Sequence, residues 1–129
     1  MKRIIILTAA VSMLMVGYGL TTMAQSVEGD MTMAPKYTIA DIMTKAHRRP
    51  ANLLKTVASG QATDEQKAAL LDLYVVLAEH KSPNGDQADW ANRTALLVEA
   101  AKAAVDGNPE AGNMLTKASS CAGCHDAHK

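Results

Sequence analysis

The sequence predicts an all-α chain folded as an antiparallel up-down-up-down four-helix bundle, on three observations. Hydrophobic residues make up 48%, charged residues 20%, and aromatic residues only 3% with no Phe. A β-sandwich would draw on more Val, Thr and aromatic side chains, whereas Ala, Leu, Lys and Glu build helices. Four stretches carry apolar residues recurring at three and four. Each is bounded by capping or turn residues, and the links between them are short, which favours antiparallel neighbours.

The first 24 residues stand apart from that pattern. Lys2 and Arg3 precede an apolar run from Ile4 to Val16, and Thr22-Met23-Ala24 offers small residues on both sides of Met23 just before Gln25. This is the layout of a secretory signal peptide, residues 1–24. The apolar run falls short of the about 20 residues that a bilayer span needs, and no later segment is apolar enough to span a membrane. Residues 25–36, with Gly29 and Pro35, form a polar, flexible N-terminal arm.

The four-helix domain occupies residues 37–129. Its first helix runs from Tyr37 to Ser59 through Ile39, Ile42, Met43, Ala46, Pro50, Leu53, Leu54 and Val57, with Gly60 as its stop. Pro50 either bends this helix or marks a local break, because it lacks an N–H and crowds the carbonyl of Ala46. Thr63-Asp64-Glu65-Gln66 is a capping box opening a second helix through Leu70, Leu71, Tyr74, Leu77 and Ala78. Ser82-Pro83-Asn84-Gly85 stops it. The third helix begins at Asp86 or Asp89 and ends at Val105, with Trp90, Thr94, Leu97, Ala101 and Ala104 as its stripe, widened by Leu96 and Ala100. Asn108-Pro109-Glu110 reads as an N-cap followed by proline at the first helical position. The fourth helix carries Ala111, Met114, Leu115, Ala118, Cys121, Ala122 and His125. The alternative architecture is a three-helix globular fold around a bound group.

Size and charge narrow the function. With 13 basic and 13 acidic residues, there is no basic excess to hold a phosphate backbone, so no nucleic-acid partner is expected. Loss of Lys2 and Arg3 with the signal peptide tips the balance slightly acidic. A domain this small buries only about 60–65% of the surface of its extended chain. Large core side chains are scarce, so a bulky bound group would supply missing apolar volume.

The chemistry lies in the last nine residues. Cys121-Ala122-Gly123-Cys124-His125 is C-x-x-C-H, the attachment signal of c-type haem. On a helix, residues three apart share a face, so Cys121 and Cys124 can each form a thioether to one haem vinyl group. His125 follows directly and can bring an imidazole nitrogen to the iron. Gly123 keeps the backbone clear beside the macrocycle. Both cysteines of the chain are used, and an exported chain meets the compartment where such haem is attached. Three other readings compete. A Cys121–Cys124 disulfide leaves His125 without a purpose. A thioredoxin-like pair wants a strand before its motif. A zinc site needs a fourth ligand, for which His128 is the candidate.

These residues resemble the class II c-type cytochromes, which include cytochrome c′ and the low-spin cytochrome c556 type. That family carries C-x-x-C-H near the C-terminus, followed four positions after the histidine by a basic residue. Here His125-Asp126-Ala127-His128-Lys129 meets the pattern, with Lys129 in the basic position. The resemblance spans residues 37–129 and implies a four-helix bundle with one covalent haem c at one end and His125 as proximal iron ligand. It also implies a distal residue on the first helix, and counting back from Gly60 lands near Ala46 and His47. His47 is the favoured sixth ligand, with Met43 one turn earlier as the methionine alternative, His80 a lesser candidate, and an open iron the remaining option. Class II members often pair through their first two helices, so a homodimer is the corresponding expectation here.

Other residues fall at the same end of such a bundle. Trp90, the only Trp, either packs on the haem edge or caps the core with its indole N–H satisfied. Arg93 and Lys129 are candidates to neutralise the haem propionates. Lys45, Arg48 and Arg49 form a basic patch beside His47 that either steers an acidic redox partner or is a solvated helix face. The expected function is one-electron transfer between soluble redox partner proteins in the periplasm or another exported compartment. The alternative is a five-coordinate haem that binds nitric oxide or carbon monoxide. A haem-free helical protein would leave the motif unexplained. No acid–base constellation marks an enzyme.

Overall fold

The computed structural model describes residues 34–129. The expected signal peptide and all but the last three residues of the expected arm lie outside the described residues. The described chain is entirely helical: α1 Ile39–His47, α2 Leu53–Ala58, α3 Asp64–Glu79, α4 Gln87–Val105, α5 Ala111–Ala118 and α6 Cys121–His128. Joining α1 to α2 and α5 to α6 gives the four helices of a bundle. Neighbours in sequence pack on each other, and α2 closes the ring against α5. Tyr37, His80, Trp90 and His128 meet at one end, and Ala58 meets Gly112 at the other. The chain therefore runs to and fro, as expected.

The expected first helix is two helices. Arg48 is already extended at φ −96°, ψ 149°, and Asn52 adopts the left-handed φ of 29° before α2 starts. Proline has no N–H to continue the ladder and disfavours helical geometry in the residue before it. Asn52 tolerates its positive φ and turns the strain to use, since its side-chain oxygen accepts from the Lys55 N–H at 3.2 Å and caps α2. Pro50, expected on the apolar stripe, is exposed. The α1 start carries a capping box that was not expected: Thr38 Oγ1 accepts from the Asp41 N–H, and the Asp41 carboxylate accepts from the Thr38 N–H.

Asp86, one of the two starts expected for the third helix, caps α4, and the α3 box of Thr63 and Gln66 forms as predicted. So does the Gly60 stop, where Gly60 and Gln61 donate back to the carbonyls of Val57 and Thr56. The fourth helix departs from expectation twice. It starts at Ala111 rather than at Pro109, with Asn108 capping only the preceding turn. It also breaks at Ser119, and Ser120 opens α6 by accepting from the Gly123 N–H.

The core is built from Ile42, Leu70, Tyr74, Trp90, Leu97 and Leu115, with Ala46, Ala100 and Ala101 letting the helices approach closely. Leu73 and Val76 join it, while Leu96, expected inside, is 54% exposed. An alanine-rich helix has little to distinguish its faces, and the face with Ala100, Ala101 and Ala104 won the core. Among the described residues, no helix is long and apolar enough to cross a membrane.

Candidate functional site

The bundle is hollow at one end. A largely apolar cavity of about 540 Å³ is lined by Met43 and His47 from α1, Leu77 from α3, Trp90, Arg93, Thr94 and Leu97 from α4, and Cys121, Cys124, His125, His128 and Lys129 from the C-terminal segment. That volume lies within the about 300–1,000 Å³ usual for small-molecule and cofactor pockets. Apart from His80, every residue singled out from the sequence as binding the group or its iron lines this one space. The scarcity of large core side chains is thus answered by a cavity, not by tighter packing.

The two chain breaks position its walls. The Pro50 break makes His47 the last residue of α1, where the helix no longer continues over it. The Ser119–Ser120 break lets α6 take its own direction, with Cys121 at its first position. The cysteines are free, Cys121 exposed and Cys124 half-buried, so the disulfide reading finds no bridge. Burial pushes the Cys124 thiol upward, with the Arg93 guanidinium opposing.

His47 is the most informative side chain. Its Nε2 is buried and has no hydrogen-bond partner. Its ring lies 5.9 Å from that of Tyr74, whose buried hydroxyl is also unpartnered. Burial, and secondarily the neighbouring His125, hold the His47 imidazole below its ordinary range. A neutral imidazole keeps the lone pair that a metal needs. An orphaned ring nitrogen in a buried setting costs on the order of 1–3 kcal/mol, so the site is better satisfied with a partner than without one.

Other candidates are accounted for differently. His80 does not line the cavity; its Nε2–H donates to the Tyr37 carbonyl at 2.8 Å, lacing the end of α3 to the segment before α1. The Trp90 indole N–H donates to the His80 carbonyl at 2.8 Å, as its core-capping role requires, and the residue lines the cavity. Arg93 is committed through Nε to Asp89 Oδ2 at 2.6 Å. The space that Gly123 leaves open is faced by Ser120 Oγ and an Arg93 terminal nitrogen, the latter 3.1 Å from where a Cβ would sit.

His128, the candidate fourth zinc ligand, takes a part that the sequence does not announce. It is 3% exposed, with Nε2 at 2.8 Å from Asp89 Oδ2 and Nδ1 at 2.7 Å from Ser82 Oγ and 2.9 Å from the Asn84 carbonyl. With both ring nitrogens so engaged, zinc loses its fourth ligand. Helical spacing offered a clue, since His128 lies one turn beyond Cys124, on the inward face of α6. Among the described residues, no three His, Cys, Asp or Glu side chains form a cluster that could hold a metal ion by themselves.

No family model matches the chain, and comparisons with curated proteins and with solved structures find no match.

Proposed function

We propose that the protein is an exported, periplasmic monohaem c-type cytochrome that passes single electrons between soluble redox partners, and that it is not an enzyme. One observation supports this most directly. The three functional side chains of C-x-x-C-H border an apolar cavity of about 540 Å³ that also receives His47, whose Nε2 is buried without a partner. Such a site asks the chain for one or two iron ligands, because the macrocycle brings the other four, so it does not depend on a cluster of three protein donors.

The residues fit the group. Cys121 and Cys124 would each add a thiol S–H across a vinyl double bond, forming a thioether with no oxidant consumed. His125 would hold the iron from α6, and His47 from α1, with Met43 beside it as the alternative donor. When bound, haem supplies a reversible one-electron couple at iron. Leu77, Leu97 and Trp90 exclude water from it, and the polar rim of Arg93 and Lys129 offers charge for propionates. With both His125 and His47 available to hold the iron, no position would be left for a substrate or gas, which favours electron transfer over gas binding.

Mass spectrometry of the mature protein tests attachment: covalent haem is expected on Cys121 and Cys124, and a chain without it overturns the proposal. Electron paramagnetic resonance of the ferric protein beside His47→Ala tests the ligand. A low-spin wild type that turns high-spin in the variant is expected. A wild type already high-spin moves the protein to the five-coordinate, nitric oxide- or carbon monoxide-binding alternative.

A further inference from the structure

The C-terminal helix α6 has little of its own to hold it in place. It is eight residues long and packs chiefly on α4. Cys121, Ala122 and His125 are exposed, Cys124 is half-buried, and His128 is its only fully buried residue. Area burial therefore cannot be the main anchor, and a buried polar side chain takes that place.

We propose that His128 is a positioning residue: it pins α6, and with it Cys121, Cys124 and His125, to α4 and to the α3–α4 loop through Asp89, Ser82 and Asn84. A carboxylate and a carbonyl only accept hydrogen bonds, so both ring nitrogens of His128 sit where an N–H is wanted. Asp89 is itself held by Arg93, so the carboxylate ties α6 to a guanidinium on the cavity wall. The His128 ring also meets Trp90 edge-on, at 5.4 Å between centroids and 75° between planes. The loop is shaped to receive this turn. Gly85 has a φ of +78°, and a Cβ there would strike the Ala127 carbonyl and come 3.2 Å from His128 Nδ1. A glycine is thus required for its backbone angle and again for the close approach of α6.

The inference rests on the proposed haem function for what α6 presents to the cavity, while the pin itself is a property of the chain. The test uses the mature haem-bearing protein with His128→Leu, which keeps the burial and removes the bonds, and His128→Gln, which retains an N–H donor. Amide exchange in residues 122–129 should quicken about tenfold or more in the Leu variant, the scale of losing a hydrogen bond to a charged group. Exchange in α3 should stay within about twofold, and the ferric g-values should shift as His125 is released. The Gln variant should recover most of the protection. Asp89→Asn, which leaves the ring in place, should move the same amides in the same direction by less. Unchanged exchange in 122–129 for both Leu and Asn variants overturns the pin. So does an equal loss of protection in α3 and α6, which would mark a general structural role. A wild type lacking covalent haem sinks the haem proposal instead, and the exchange comparison then decides the pin on the haem-free chain.

Discussion

The two middle helices and the two outer ones are built by different rules. α3 and α4, with 16 and 19 residues, run unbroken and supply most of the core: Leu70, Leu73, Tyr74, Leu77, Trp90, Leu97 and the small face of Ala100, Ala101 and Ala104. The outer helices are each interrupted, one at Arg48–Asn52 and the other at Ser119–Ser120. The interrupted helices carry His47, Cys121, Cys124 and His125. A straight helix offers its neighbours a regular ridge, which suits packing. A broken one can end a side chain's helix beside it and redirect the next segment, which opens a cavity between otherwise well-packed elements. The middle pair is the scaffold, and the outer pair holds what the scaffold presents.

This contrast is broken most forcefully from the middle. Leu70 is fully buried, and Leu70→Ala should cost about 2–5 kcal/mol through lost transfer energy and the cavity left behind. The loss should be global, with denaturant midpoints for all helices falling together. Loss confined to α3 would mean that the middle helices are not the shared core.

A milder perturbation reaches only the outer pair. Hydrogen bonding from Arg93, and then from His128, holds the Asp89 carboxyl below the ordinary carboxylate range. A carboxyl whose folded pKa is depressed contributes stability above its unfolded pKa, near 3.8, and loses it as pH falls through the folded value. The groups facing Asp89 are Arg93 on its own helix, His128 on α6, and the backbone it shares with the Asp86 cap. Acidification below about pH 4 should therefore release α6 before α3, read as protection factors of residues 122–129 against those of 70–77. Simultaneous release would show that α6 is held by the core and not by this carboxylate.

How much of this was legible in the sequence follows the same division. Most ends of the unbroken helices could be read closely, because Thr63 with Gln66 and the glycine after α4 are local signals that nothing overrides, whereas two aspartates, Asp86 and Asp89, competed for the start of α4 and Asp86 became its cap. The Pro50 break was visible as a break or a bend, since proline's missing donor is a covalent fact. The Ser119–Ser120 break was not, because the apolar spacing from Ala111 through Cys121 to His125 continues across it and serine is tolerated within helices. Its cap bond from Gly123 needs three dimensions to be seen. The C-x-x-C-H motif pointed to one end of the bundle, Trp90 and Arg93 followed from the up-down order of the helices, and Met43 and His47 followed from the family resemblance; all of them line the one cavity. His128 and Asp89 did not, because their partnership spans 39 residues and neither belongs to a local pattern. The buried face of α4 was read correctly through Trp90, Thr94, Leu97, Ala101 and Ala104, and Leu96 was misplaced because period alone does not fix how far round the helix burial extends.

The smallest effect sharpens the comparison most finely, because the same device opens one helix of each kind. Thr38 caps α1 and Thr63 caps α3, each with its reciprocal side chain, Asp41 or Gln66. Thr38→Ala and Thr63→Ala remove equivalent bonds, so each should lower stability by about 1 kcal/mol. Their reach should differ. α3 has 16 residues with five buried, and fraying of its first turn stops at Leu70. α1 has nine residues with only Ile42 and Ala46 buried, ends freely at the Pro50 break, and so has little beyond its cap to resist unwinding. Amide exchange should quicken along the whole of α1 in Thr38→Ala, carrying His47 with it, whereas Thr63→Ala should affect only residues before Leu70. Equal, first-turn fraying in both variants would mean that α1 is held as firmly as α3, and that the break at Pro50 costs the outer helix nothing.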